Sequence, residues 1–208
     1  MKKNRGMVLI FFGLLLLAAA LFLAAGNLYD ASRAETSARL AVSRLEEYIP
    51  ATDSAQPSAD WPLTEEMEPA GYLLNPDMEM PVQNIDGVDY IGILRIPALE
   101  LELPVISGWS YGNLRIAPCR YSGSAYSNDL VIAGHNYGGH FGSLSALSPG
   151  DTVTFTDMEG NVFTYCVAEE EILQPAQTEQ MVSGDWDLTL FTCTVGGRSR
   201  VTIRCTQE

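Results

Sequence analysis

Cys193, Arg200 and His135 are the residues of this sequence whose types and spacing suit acyl chemistry on a thiol. Residues 188–193 and 200–205 read as two strands, and a two-residue Gly196-Gly197 turn places Cys193 directly opposite Arg200 in an antiparallel pair. Both central turn positions need positive φ, which glycine adopts without steric penalty. In that register Leu188, Leu190, Ile203 and Cys205 share the buried side, while Thr189, Phe191, Cys193, Arg200, Thr202 and Arg204 share the other, outside the core. A cation beside a cysteine favours the thiolate and opposes the charge that develops on a carbonyl oxygen under attack.

The general acid/base must come from one of two histidines. His135 ends the apolar run Leu130-Val131-Ile132-Ala133-Gly134, a buried strand that delivers its last side chain to a sheet rim. His140 lies in the glycine-rich stretch 136–142, which holds a side chain less firmly; it reads as a loop residue near the groove, in reach of substrate. Arg198 has the parity of Arg200 and is a second candidate for substrate contact, although it sits beside the turn. Thr192 can support an oxyanion through its N–H or hydroxyl, or can turn the hydroxyl inward; both readings stay open.

The elements that position these groups begin at Val82, where short apolar runs alternate with turn residues in the pattern of an all-β barrel or sandwich. Strands are expected over 90–96, 103–105, 130–133, 152–156, 161–169, 188–193 and 200–205, with a hairpin turn at Met158-Glu159-Gly160-Asn161 and a helical turn over 143–147. Upstream, residues 7–25 carry no charge, follow Lys2, Lys3 and Arg5, and are long enough to span a bilayer, so residues 1–6 are expected in the cytoplasm and the remainder outside. A cleaved signal peptide is the rival, with Ala24-Ala25-Gly26 as small residues near its end. Residues 26–49 suit a helical stalk with Leu40, Leu45, Tyr48 and Ile49 on one face, and 50–81, rich in proline and acidic residues, suits an extended linker.

The net charge is −14, and Lys2 and Lys3 are the only lysines. With no basic face to neutralise phosphates, a nucleic-acid partner is excluded, and the acidity reads as solubility. Four cysteines permit disulfides in an exported protein. Cys166 and Cys205 read as small core residues that could pair with each other, whereas Cys193 points away from Cys205.

Ala133-Gly134-His135, Thr189-Leu190-Phe191-Thr192-Cys193 and Arg200 at the head of a closing apolar strand together resemble the sortases, cysteine transpeptidases of Gram-positive bacterial surfaces. The resemblance extends to residues 90–97 with Leu103-Pro104-Val105, and to Phe141-Gly142-Ser143-Leu144 leading to Pro149-Gly150-Asp151. It implies an all-β fold, a closed eight-stranded barrel with short helices over 82–208, and a site in a groove at one rim. It further implies that Cys193 attacks the threonine carbonyl of a Leu-Pro-x-Thr-Gly-like sorting motif. His135 then shuttles protons, Arg200 holds the substrate backbone, and an amine of a peptidoglycan precursor or a pilin lysine resolves the acyl enzyme. The short interval between His135 and Cys193 favours a compact, class B- or D-like barrel. An inhibitory lid, as some pilus-building relatives carry before the barrel, has only Asp60-Trp61-Pro62 as a partial cue, with the letters in the wrong order. No cofactor is implied. Calcium on Glu169-Glu170-Glu171, as acidic loops provide in one sortase, competes with a plain solvated face. Two further functions stay open, a cysteine hydrolase of surface peptides and an inactive peptide-binding barrel.

Overall fold

The computed structural model describes residues 3–50 and 70–208. The apolar runs become nine strands: β1 (Gln83–Ile85), β2 (Val88–Ile96), β3 (Leu101–Ile106), β4 (Cys119–Ser122), β5 (Leu130–Gly134), β6 (Thr152–Asp157), β7 (Val162–Leu173), β8 (Leu188–Cys193) and β9 (Arg200–Gln207). Their order is β1-β2-β3-β4-β5-β8-β9-β7-β6, and a β2–β6 pairing closes eight of them into a barrel with β1 hairpinned onto β2. Closure leaves no long unpaired edge among those eight. The helical turn expected over 143–147 is present as a 3-10 turn, Leu144–Ala146. β1 and β4 have no counterpart among the expected strands; both are short and lack a period-2 apolar pattern, so pairing with neighbours defines them.

Alternation along each strand splits the apolar side chains between two clusters. Inside the barrel, Ile91, Leu94, Leu130, Ile132, Phe155, Phe163, Leu188, Leu190 and Ile203 pack with Cys205. A second cluster, including Val131, Ala133, Leu173, Met181 and Phe191, covers part of the outer surface. The face of β8 and β9 expected outside the core is therefore largely covered: Thr189, Thr202 and Arg204 are buried, and Phe191 is 8% exposed. Four free cysteines are found. Cys166 pairs in register with Thr206, while Val167 pairs with Cys205, so Cys166 and Cys205 point to opposite faces and cannot bridge. Burial pushes the Cys119 and Cys205 thiols up to about 12, which leaves both inert.

Among the described residues four α-helices accompany the barrel: α1 (Lys3–Glu46), α2 (Gly71–Leu74), α3 (Tyr111–Leu114) and α4 (Thr178–Val182). Among the described residues α1 is the one helix long and apolar enough to cross a membrane, with a mean hydropathy of 2.6 over its most apolar window. Its second half departs from the expected stalk. Ala34, Ala38, Ala41, Val42 and Leu45 are buried against the barrel, whereas Leu40 and Tyr48, expected on the packing face, are exposed. The buried positions recur at helical spacing, and the alanines let the helix approach closely. Residues at the end of the expected linker also pack: Tyr72 of α2 stacks on Tyr126 at 4.8 Å, and Met80 is buried. Asp60-Trp61-Pro62 lies outside the described residues.

His140 lies beneath α1. It is fully buried, and burial lowers its pKa to about 4, with the nearby His135 adding to the lowering and backbone contacts at Ala34 and Ile116 opposing it in part. Two measurements test this arrangement. Leu45→Ala should destabilise the full chain to urea by about 2–4 kcal/mol, because it opens a cavity under α1; a free stalk would show no change. His140 is neutral in the fold and protonated in the unfolded chain below its ordinary 6.5, so the unfolded state binds the extra proton. Stability should therefore fall as pH drops from 6.5 toward 4, by about 3 kcal/mol from this group. His140→Gln should flatten that part of the urea-denaturation profile relative to the parent.

Candidate active site

The hairpin places the thiol and guanidinium as the residue pattern requires. β8 and β9 pair with Leu188 opposite Cys205, Leu190 opposite Ile203 and Cys193 opposite Arg200. The turn is wider than two residues. Thr194 and Ser199 close it through a backbone hydrogen bond of 2.9 Å, and the Thr194 hydroxyl accepts from the Ser199 N–H. Val195 to Arg198 thus form the loop, in which Gly196 and Gly197 adopt φ of 84° and 70°. The Arg200 Nη1 donates to the carbonyls of Gly197 and Ser199, which anchors the guanidinium and leaves its other donors for a ligand.

β5 and β8 are parallel, with Ala133 beside Phe191 and Gly134 beside Thr192 as the last pair. His135 and Cys193 are the next residues on the two chains, and the alternation of faces directs both outward. The Thr192 hydroxyl donates to the Gly134 carbonyl at 2.8 Å. It is turned inward, so any oxyanion contact by Thr192 falls to its backbone N–H. Gly134 is required by a close approach: a Cβ there would lie 2.5 Å from the Phe141 ring, whose residue also donates its N–H to the His135 carbonyl. His135 is half-buried and stacks on Tyr137 with ring centroids 4.8 Å apart. Burial lowers its pKa, and the Arg115 charge lowers it further, which favours neutral imidazole.

Cys193, His135 and Arg200 open onto one groove of about 250 Å³. One wall is aromatic: Trp109 and Tyr111 on the β3–α3 side, with Tyr121 packed edge-on to both Trp109 and Phe191. The other wall comes from the β7–β8 connection, with Pro175, Thr178 and Met181. Residue types alone did not mark these walls, although Trp109-Ser110-Tyr111 in a turn-forming stretch is a usable signal; the Ser110 side chain caps α3 by accepting from Asn113 N–H. Arg204, buried below the groove, ties the second wall down. It donates to the Met181 and Gln180 carbonyls at the end of α4, to Thr189 and to Glu171.

Three expected contacts are relocated. His140 lies under α1 and does not line the groove, because the loop it occupies is packed rather than open. Arg198 is exposed in the turn and does not line the groove either. Glu169, Glu170 and Glu171 belong to β7, where neighbours alternate faces, and Glu171 pairs with Arg204; they do not converge as calcium ligands.

A thiol, a largely neutral imidazole and an anchored guanidinium on one groove can carry out nucleophilic attack, proton transfer and oxyanion stabilisation on a bound acyl group. The sortase-domain family model matches residues 94–208. Sortase A of Bacillus anthracis is 29% identical over 131 residues, covering 60% of this chain and 62% of that protein, so the match spans less than two thirds of the relative's length. Among solved structures, a Clostridium perfringens sortase D5 transpeptidase aligns with a TM-score of 0.52 at 21% identity, over 61% of this chain and 82% of its own. Sortase C1 of GBS pilus island 1 aligns at 0.51 and 22% identity, over 57% of this chain and 64% of its own; at these identities the two structures speak to the fold alone. The relatives carry the names A, C and D, so they do not single out the compact class. By the match over 94–208 and by its barrel, the chain belongs to the sortase family.

Proposed function

We propose that this chain is a membrane-anchored cysteine transpeptidase that cleaves a Leu-Pro-x-Thr-Gly-like sorting motif and transfers the acyl part to an amine. The observation that carries the reading is the register across β5, β8 and β9, which brings His135, Cys193 and Arg200 to one groove. The sulfur of Cys193 attacks the threonine carbonyl, and the tetrahedral oxyanion faces Arg200 and the backbone N–H groups near Thr192. Collapse breaks the threonine–glycine amide. His135, having taken the thiol proton, returns it to the leaving amine, and a thioester remains on Cys193. An incoming amine attacks the thioester and His135 accepts its proton; the new amide forms and the thiol is restored. The amine belongs to a peptidoglycan precursor or a pilin lysine.

Residues 7–25 supply the anchor, with the basic residues before it on the cytoplasmic side and the barrel outside. The working unit includes the docked part of α1 and residues 70–81 as well as the barrel. Sorting-motif-bearing surface proteins or pilins are its partners.

The full chain in detergent, incubated with a library of sorting-motif peptides and read by intact mass, should gain an acyl group on Cys193 and pass it to an added amine. Cys193→Ala should form no adduct, and His135→Ala should lose at least about 100-fold in turnover. Cleavage without ligation in excess amine would replace the transpeptidase by a hydrolase. Binding with no adduct in reduced, folded protein would leave a peptide-binding barrel.

A further inference from the structure

The arginines of this acidic protein are mostly committed. Arg39, Arg44, Arg95, Arg120 and Arg204 each meet a carboxylate within 4 Å. Arg200 is held by turn carbonyls, and Arg198 lies in the exposed turn. Arg33 and Arg115 have no carboxylate partner among the described residues, and both line a cleft between α1 and the end of α3, together with Ser37, Gly112, Ile116 and Tyr137. The cleft measures about 270 Å³. Two like charges on one cleft repel each other, and a chain of net charge −14 has carboxylates to spare for neutralising them. Among the described residues no carboxylate lines the cleft, which leaves it complementary to an anion from outside.

Two further observations locate that anion. α1 is continuous from Lys3 to Glu46, and Arg33 lies eight positions beyond Ala25, the end of the uncharged stretch. That is about 12 Å along a helix, close to the headgroup layer that borders the hydrocarbon. The cleft also adjoins the catalytic groove. α3 faces the groove with Tyr111 and Leu114 and the cleft with Gly112, while Tyr137, which lines the cleft, stacks on His135, which lines the groove.

We propose that the cleft between α1 and α3 is an anion site in which Arg33 and Arg115 hold a phosphate-bearing headgroup at the membrane surface, beside His135. Guanidinium forks suit phosphate oxygens, and Ser37 offers a hydroxyl donor from the same wall. A headgroup held there lies next to the acid/base side of the groove, where a membrane-borne amine would enter. The site rests on the anchored reading of α1 given above, while its binding step does not depend on transpeptidation.

With only two histidines in the chain, His135 is a direct reporter. The full chain, labelled on histidine nitrogens and held in phosphatidylcholine nanodiscs, is titrated by NMR in three settings of equal ionic strength: chloride, inorganic pyrophosphate, and discs containing phosphatidylglycerol. A bound anion offsets the Arg115 charge that now lowers the His135 pKa, so the midpoint should move upward with phosphatidylglycerol relative to chloride. The doubly substituted Arg33→Gln/Arg115→Gln chain should start higher and stop responding. A midpoint that moves only with pyrophosphate would overturn the membrane headgroup in favour of a soluble phosphate. No movement in either setting, or equal movement in the substituted chain, would overturn the anion site itself. Peptide turnover enters none of these readouts, so failure here and failure of the transpeptidase reading are distinguishable.

Discussion

β5 and β8 lie parallel with Gly134 beside Thr192, and the Thr192 hydroxyl donates to the Gly134 carbonyl at 2.8 Å. In a parallel pair, residues in register on adjacent strands point the same way, so this single alignment sends His135 and Cys193 to the outer face together. A slip of one residue on either strand would turn one of them into the barrel. The alignment is held from both sides. Beneath it, Leu130, Ile132, Leu188 and Leu190 are all fully buried in the barrel interior. At the rim, Phe141 packs where only a glycine at 134 leaves room, and its N–H holds the carbonyl of His135. His135 and Cys193 thus stand at strand ends, and the groove is shaped by what packs around them.

Each wall of that groove is held from beneath, one by a buried cation and the other by aromatic packing. Arg204 shows how: its guanidinium is nearly inaccessible, yet it is satisfied by Glu171, Thr189 and two carbonyls at the end of α4. A cation at a helix C-terminus is favourable, but the larger consequence is geometric, since the same contacts fix Met181 in the groove wall. On the opposite side, Tyr121 packs edge-on against both Phe191 and Trp109, which links the aromatic wall to the strand that ends in Cys193. The two walls differ in chemistry, one aromatic and one largely aliphatic.

α1 joins two environments without a break. Its first part is apolar on every side, while Ala34, Ala38, Ala41, Val42 and Leu45 form a narrow seam against the barrel. An uninterrupted helix docked in this way fixes the direction in which the apolar segment leaves the barrel, which a flexible stalk would not do. Docking also seals His140 from water and brings Arg33 to the cleft beside Arg115. The helix is therefore part of the surroundings of the site.

The sequence by itself determined an all-β domain and the register of its β8–β9 hairpin. Period-2 alternation specified which faces of 188–193 and 200–205 are buried, and that parity was enough to pair Cys193 with Arg200 because a slip would expose every leucine. The apolar run before His135 identified a buried strand for the same reason. What stayed illegible depends on partners distant in the chain. The alanine seam of α1 carries little hydrophobic signal, and it becomes a packing face only when the barrel offers a complementary surface; Leu40 and Tyr48, the stronger signals, face outward. A glycine-rich stretch suggested an open loop at His140, but α1 buries it. β4 has no alternation of its own and is defined by pairing with β5. The walls of the groove and the Arg33–Arg115 cleft likewise arise where separate segments meet, and only the tertiary structure decided them, because local patterns encode burial but not which distant surface supplies it.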